Sequence, residues 1–353
     1  MTLPDTHPLV RGTTTDAPLV RAYRGQRPER LPVWFMRQAG RSLPEYRAAR
    51  EGTAMLDACL TPELAAEITL QPVRRHGVDA AILFSDIVVP LKVAGIEVEI
   101  QPGVGPVMGA PVRTAADVAR LPELDPAALA PVREAVGRCV AELGSTPLIG
   151  FAGAPFTVAS YLVEGRPSRD HLITRALLHT EPEVWHGLLA WVARQTVTFL
   201  RAQVEAGASA VQLFDSWAGT LPPQDYRDGA LPHSRAVLEG VADLGVPRVH
   251  FGTRTVQILA DLRDAGAEVV GIDDRTPMAE AVARLGPDVV VQGNVDPALL
   301  AAPWEVLERH VRQVVADARG ARAHVLNLGH GVPPTTDPDV LTRLVELAHT
   351  LPG

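Results

Sequence analysis

Eight short apolar runs constrain this chain most, near residues 33–36, 80–85, 147–152, 209–214, 248–252, 268–272, 288–293 and 324–328. They are rich in Val, Ile, Leu and Phe and show little polar alternation. A strand with one wet face alternates; a continuously apolar strand is covered on both faces, as parallel strands are. The intervening segments read as helices. Thr61-Pro62-Glu63, Thr180-Glu181-Pro182, Thr276-Pro277 and Asp337-Pro338 each place proline at or near a first helical turn, where a missing N–H costs nothing. Residues 181–206 space Val184, Leu188, Trp191, Val192, Phe199 and Leu200 along one side, and Pro72 is expected to kink the helix that starts at Thr61. Strands alternating with helices predict an α/β fold, a (β/α)8 TIM barrel, with an open doubly wound sheet as the alternative. One segment departs from the pattern: residues 97–112 alternate around a Gly-rich turn and predict a small β-hairpin insertion after the second strand.

Without repeats or low-complexity linkers, residues 21–353 read as one domain. Residues 1–20, rich in Thr and Pro and lacking the apolar stretch of a secretory signal, read as a disordered tail. At 46% hydrophobic residues the chain has ample core. The net charge of −8 comes without any basic run, which argues against nucleic acid as a partner. Such a protein must gather positive charge locally to hold an anion. Cys59 and Cys139 form no metal-binding or disulfide pattern and read as small packed hydrophobes, consistent with the cytoplasm. No apolar run approaches the roughly 18 residues of a membrane span.

A barrel predicts where chemistry occurs, just past the C-terminal ends of the strands. Arg37 and Arg41 follow the first run, four residues apart, with Gly40 allowing close backbone approach. Guanidinium forks bind carboxylates bidentately; the competing reading is a solvated surface pair. Asp86 ends the second run and can cap a helix, coordinate a metal or accept hydrogen bonds from an N–H-bearing ligand. Tyr161 lies in the small-residue segment GFAGAPFTVASYLVEG, where it either donates to a carboxylate or simply packs. Ser216, in FDSWAG, is outside any G-x-S-x-G elbow, so it reads as a hydrogen-bonding or capping serine. His330 in NLGHG is placed to bind a carboxylate or move a proton near pH 7. Asp273-Asp274 and Gly293-Asn294 are explained by helix capping. Gly103-Val104-Gly105 is followed by Pro106, which excludes a dinucleotide fingerprint, and no Walker loop or H-E-x-x-H motif occurs.

PVWFMRQAGRSLPEYR (32–47) and GFAGAPFTVASYLVEG (150–165), with LFSDIVVP, QLFDSWAG, QGNVDP and NLGHGVPP, resemble the uroporphyrinogen decarboxylase family from about residue 21 to the end. The resemblance implies a (β/α)8 barrel, a homodimer, and decarboxylation of the four acetate groups of uroporphyrinogen III to give coproporphyrinogen III and carbon dioxide, with neither metal nor organic cofactor. It implies substrate binding by Arg37, Gln38, Ala39, Gly40, Arg41, Asp86, Tyr161, Ser216 and His330, with Phe214 as an apolar lining residue and Asp86, Arg37 and His330 as the catalytic set. Ser42 and Asp274 depart from the family pattern, where Tyr and Trp are common. Two other readings compete. A corrinoid-linked methyltransferase requires zinc on thiolates, and neither cysteine follows a strand with a neighbouring His. A non-catalytic tetrapyrrole carrier would not require the polar set at the strand ends.

Overall fold

The computed structural model describes residues 3–353. Seven strands, β1 (Ala81–Ile82), β4 (Leu148–Gly153), β5 (Ala210–Asp215), β6 (Arg248–Gly252), β7 (Val269–Gly271), β8 (Val290–Gln292) and β9 (Ala323–Val325), form one parallel sheet in chain order. Their residues are almost all buried, which is why the runs carry no polar alternation. Residues 32–36 lie between the two sheet edges. Val33 bridges Leu326 in parallel, and Leu326 N–H donates to Pro32 O at 2.9 Å while Asp79 N–H donates to Val33 O at 2.8 Å. The result is a TIM-barrel-like α/β fold.

Expected as a full strand, 33–36 supplies a single bridge because side chains replace its ladder partners. Phe35 N–H donates to Gln38 Oε1 at 3.0 Å and Met36 N–H to Asn327 Oδ1 at 2.9 Å. Between β1 and β4 the chain forms a two-stranded antiparallel hairpin, β2 (Val98–Gln101) with β3 (Gly105–Met108), in register Val98 to Met108. Met108 N–H fixes it to Gly165 O at 2.8 Å.

The proline signals locate the helices. Pro62–His76, Pro182–Ala206 and Pro338–His349 begin on proline, and Met278–Leu285 begins one residue after Pro277. Pro72 is accommodated inside the first of these without ending it. The long helix Pro182–Ala206 buries Trp185, Leu188, Trp191, Val192, Phe199 and Leu200 against the sheet. Among the described residues no helix is long and apolar enough to cross a membrane.

The N-terminal segment differs from expectation. Met1 and Thr2 lie outside the described residues, but 3–17 pack as turns across the N-terminal end of β5 instead of forming a solvated tail. His7 is buried with Nε2 3.2 Å from Ala208 O, and Thr14 Oγ1 is 2.9 Å from Ser209 Oγ. The helix Pro18–Tyr23 follows, with Leu19 and Val20 fully buried, so the expected boundary at residue 21 falls inside an element. Tertiary partners some 195 residues distant outweigh a composition that favours solvation.

The same end of the barrel is locked by the buried Asp79. Its Oδ1 accepts from Arg30 Nη2 at 2.7 Å; its Oδ2 accepts from Val33 N–H at 2.8 Å and lies 2.9 Å from His349 Nε2.

Candidate active site

The opposite end of the barrel collects the polar residues. Arg37 turns the chain out of the segment 32–36 with φ 60°, a left-handed conformation rare for a side-chain-bearing residue. The turn is tight: a Cβ at position 40 would stand 2.8 Å from Arg37 O, so only glycine closes it. The Arg37 stem lies across Gly331, where a Cβ would come within 2.5 Å of Arg37 Cδ. Val332 N–H donates to Met36 O at 2.9 Å, so the His330 loop and the Arg37 turn are bonded together.

From there the Arg37 charge acts on three groups, namely Asp86, Tyr161 and His330. Asp86 follows β1 and is half-buried. Burial raises its pKa; the Val88 N–H, 3.0 Å from Oδ1, and then Arg37 oppose the rise without cancelling it. Tyr161 projects from the helix Pro155–Glu164, which follows β4, and burial raises its hydroxyl pKa with the Asp86 charge acting the same way. Its ring meets Trp217 edge-on at 6.2 Å. His330, after β9, reaches solvent at the rim. Partial burial first and the Arg37 charge second lower its pKa, against Asp274 and Asp273.

Phe214 and Ser216 stand at the end of β5. Phe214 is half-buried between Phe151 and Phe251, at centroid distances of 5.4 and 5.9 Å, which makes an apolar wall. Ser216 is half-buried and its carbonyl accepts from Thr253 Oγ1 at 2.7 Å. Arg41 is exposed, and its guanidinium has no partner among the described residues.

Gln38 lies behind the Arg37 turn. It is fully buried, its Oε1 bonded to Phe35 N–H and its Nε2 donating to Ala80 O at 3.0 Å. Both ends are consumed in tying the Arg37 turn to β1, so it shapes the site from behind. Ala39 is half-buried beside it. Two contributors were not singled out from the sequence. Trp217 forms the Tyr161 wall, and Asn327 holds Met36 N–H and Leu328 N–H on one oxygen. Their signal lay in the FDSWAG and NLGHG segments, whose chemistry drew attention to neighbouring residues. The departing residues Ser42, buried, and Asp274, crowded against Gly329, pack around the rim turns.

Chemically, the mouth offers a fixed cation, an acceptor carboxylate, a phenol and an imidazole around an aromatic wall. That suits a flat, N–H-rich polyanion. A hollow of about 670 Å³ elsewhere is lined by Ala115, Val118, Glu181 and Glu183, and its negative charge would repel such a ligand. Among the described residues no group of three His, Cys, Asp or Glu side chains is arranged to hold a metal, and both cysteines are buried. The donor set therefore does not fit the thiolate zinc centre that the methyltransferase reading requires.

Comparison with known proteins identifies the family. The family model for uroporphyrinogen decarboxylase (URO-D) matches residues 14–351. A uroporphyrinogen decarboxylase of Arthrobacter sp. is 64% identical over 340 residues, covering 96% of this chain and 99% of the relative. One from Saccharopolyspora erythraea is 61% identical, covering 96% of each. Among solved structures, a methyltransferase from Methanosarcina mazei superposes with a TM-score of 0.76 at 20% identity, covering 95% of this chain and 98% of its own, a likeness of fold alone. With the family model spanning nearly the whole length and relatives this similar, the chain belongs to the uroporphyrinogen decarboxylase family.

Proposed function

We propose that this chain converts the four acetate side chains of uroporphyrinogen III to methyls, releasing carbon dioxide and coproporphyrinogen III. The observation that carries the reading is the half-buried Asp86 carboxylate within the field of an arginine held in a left-handed turn. Loss of carbon dioxide leaves an electron pair that needs a sink. Protonation of the adjacent pyrrole carbon makes a cation that accepts it. The exocyclic methylene left behind then takes a proton to become the methyl while the ring carbon releases its own, a net uptake of one proton for each carbon dioxide lost. The substrate thus performs the role a cofactor performs elsewhere. In this reading Asp86 accepts hydrogen bonds from the pyrrole N–H groups and stabilises that cation, and a partly water-excluded carboxylate is stronger at this than a solvated one.

Arg37 and Arg41 bind substrate carboxylates, each charge-assisted hydrogen bond contributing about 1.5–3 kcal/mol. Tyr161 and Ser216 contribute hydrogen bonds, and Phe214 packs on the ring face. A guanidinium holds its proton too firmly to serve as the acid, which sets Arg37 aside as the donor. His330 has a lowered pKa, so the free enzyme presents a neutral imidazole whose N–H binds a carboxylate. It becomes a proton donor once the substrate's negative charges raise that pKa. A water held by a substrate carboxylate is the other donor consistent with this site.

The same reading takes residues 32–36 as the eighth stave of a closed barrel bearing one catalytic domain, and the chain as a cytoplasmic homodimer. Sedimentation tests the dimer. The activity is tested by incubating metal-free protein with uroporphyrinogen III anaerobically and separating the oxidised porphyrins. Successive loss of four carboxyl groups is expected, and unchanged uroporphyrin refutes the assignment.

A further inference from the structure

Below the mouth, on the helix side of β5, lies a charged group that the proposed chemistry does not use. Asp215, the last residue of β5, is fully buried. One oxygen, Oδ1, accepts from Thr157 Oγ1 at 2.8 Å; the other faces His250 Nε2 at 3.7 Å and has no hydrogen-bond partner among the described residues. Burying a carboxylate with so few donors is unfavourable, and nothing in the core packing requires it. Thr157, also fully buried, is bonded twice. Its hydroxyl donates to Asp215 and accepts from Trp217 N–H at 3.2 Å. The carboxylate can only accept, so it dictates the direction of both bonds: the hydroxyl proton points at Asp215, and the lone pair is left for Trp217.

That relay joins two elements of the site. Thr157 occupies the first turn of the helix Pro155–Glu164, and Tyr161 is one turn further along it. Trp217 follows Ser216, and its ring forms the wall beside Tyr161. A second tie, Ala154 N–H to Phe214 O at 2.8 Å, runs alongside. We propose that Asp215 and Thr157 are positioning residues for the decarboxylation, setting the Tyr161 hydroxyl and the Ser216–Trp217 turn at a fixed separation across the mouth. The inference rests on the function proposed above. Small displacements of binding groups are costly, since a shift of about 1 Å can lower a rate roughly 100-fold.

The test is a double-mutant cycle on the full-length protein with uroporphyrinogen III. Thr157→Val keeps the shape and removes both bonds, whereas Thr157→Ser keeps both. The valine variant is expected to lose about tenfold in kcat/KM, chiefly through KM, with Thr157→Ser near the unsubstituted enzyme. Tyr161→Phe should cost much less in the valine background than alone, because its hydroxyl is already misplaced there. Equal kcat/KM for Thr157→Val and Thr157→Ser, or losses that simply multiply with Tyr161→Phe, overturns the inference. If Thr157→Val does not fold, Asp215→Asn decides. It removes the charge that orients the hydroxyl, and about a threefold loss, again non-multiplicative with Tyr161→Phe, is expected; unchanged kinetics overturns the proposal. An unsubstituted protein with no turnover refutes the proposed function instead, so the two failures are distinguishable.

Discussion

Asp79 and Asp86 flank the same short strand, β1, one at each end of the barrel. At the N-terminal end Asp79 is surrounded by Arg30, the Val33 N–H and His349, and both oxygens are occupied. At the C-terminal end Asp86 receives the Val88 N–H and the field of Arg37, and burial leaves its pKa raised. Carboxylates of one residue type, flanking one strand, are thus held by charged partners at one end and by backbone N–H groups at the other. On the function proposed above, the contrast separates a group that holds the fold together from one that meets the substrate.

Two substitutions test that separation. Asp86→Asn should lower kcat by about 10²–10³-fold, because a neutral amide cannot stabilise a pyrrole cation; steady-state assays on uroporphyrinogen III check this, and an unimpaired variant removes the role. Asp79→Asn should cost about 2–3 kcal/mol in denaturant unfolding, by weakening bonds to charged and backbone donors, while kcat per folded molecule holds. A loss of kcat without a loss of stability would invert the comparison.

The smallest effect concerns Asp86 and stability. Its pKa in the folded chain is raised, so the fold binds this proton more tightly than the unfolded chain does. The resulting stabilisation is present below the ordinary carboxylate value and is lost as pH rises through the raised one. At pH 7 Asp86→Asn should therefore melt slightly higher than the unsubstituted protein, and the gap should close near pH 3. Thermal scans at both pH values check this; a lower midpoint at pH 7 would place Asp86 with Asp79 as a structural carboxylate.

Much of this was legible in the sequence because two physical signals are local. Runs covered on both faces announce themselves by lacking polar residues, which located β4, β5 and β6 closely. Residues just past such runs are where a barrel exposes side chains, which marked Asp86, Ser216 and His330. What was not legible depends on partners distant in sequence. The resemblance places Gln38 among the substrate-binding residues, and nothing local in the sequence shows that its amide is committed to Phe35 and Ala80. Thr157 and Asp215 are 58 residues apart, and neither hints at the other. The segment 3–17 looks solvated until Ala208 and Ser209 supply its contacts.

The bonding of residues 32–36 bears on when the site comes into existence during synthesis. Met36 takes its acceptor from Asn327, 291 positions later, and the Arg37 stem lies against Gly331. A nascent chain still lacking residues 323–332 possesses Asp86 and Tyr161, and its Arg37 turn is braced from the β1 side alone, through Gln38. Loop closure on that scale is slow compared with forming local helices. The mouth is therefore completed last, and chains interrupted late in translation would carry most of the barrel with its arginine turn braced on one side only.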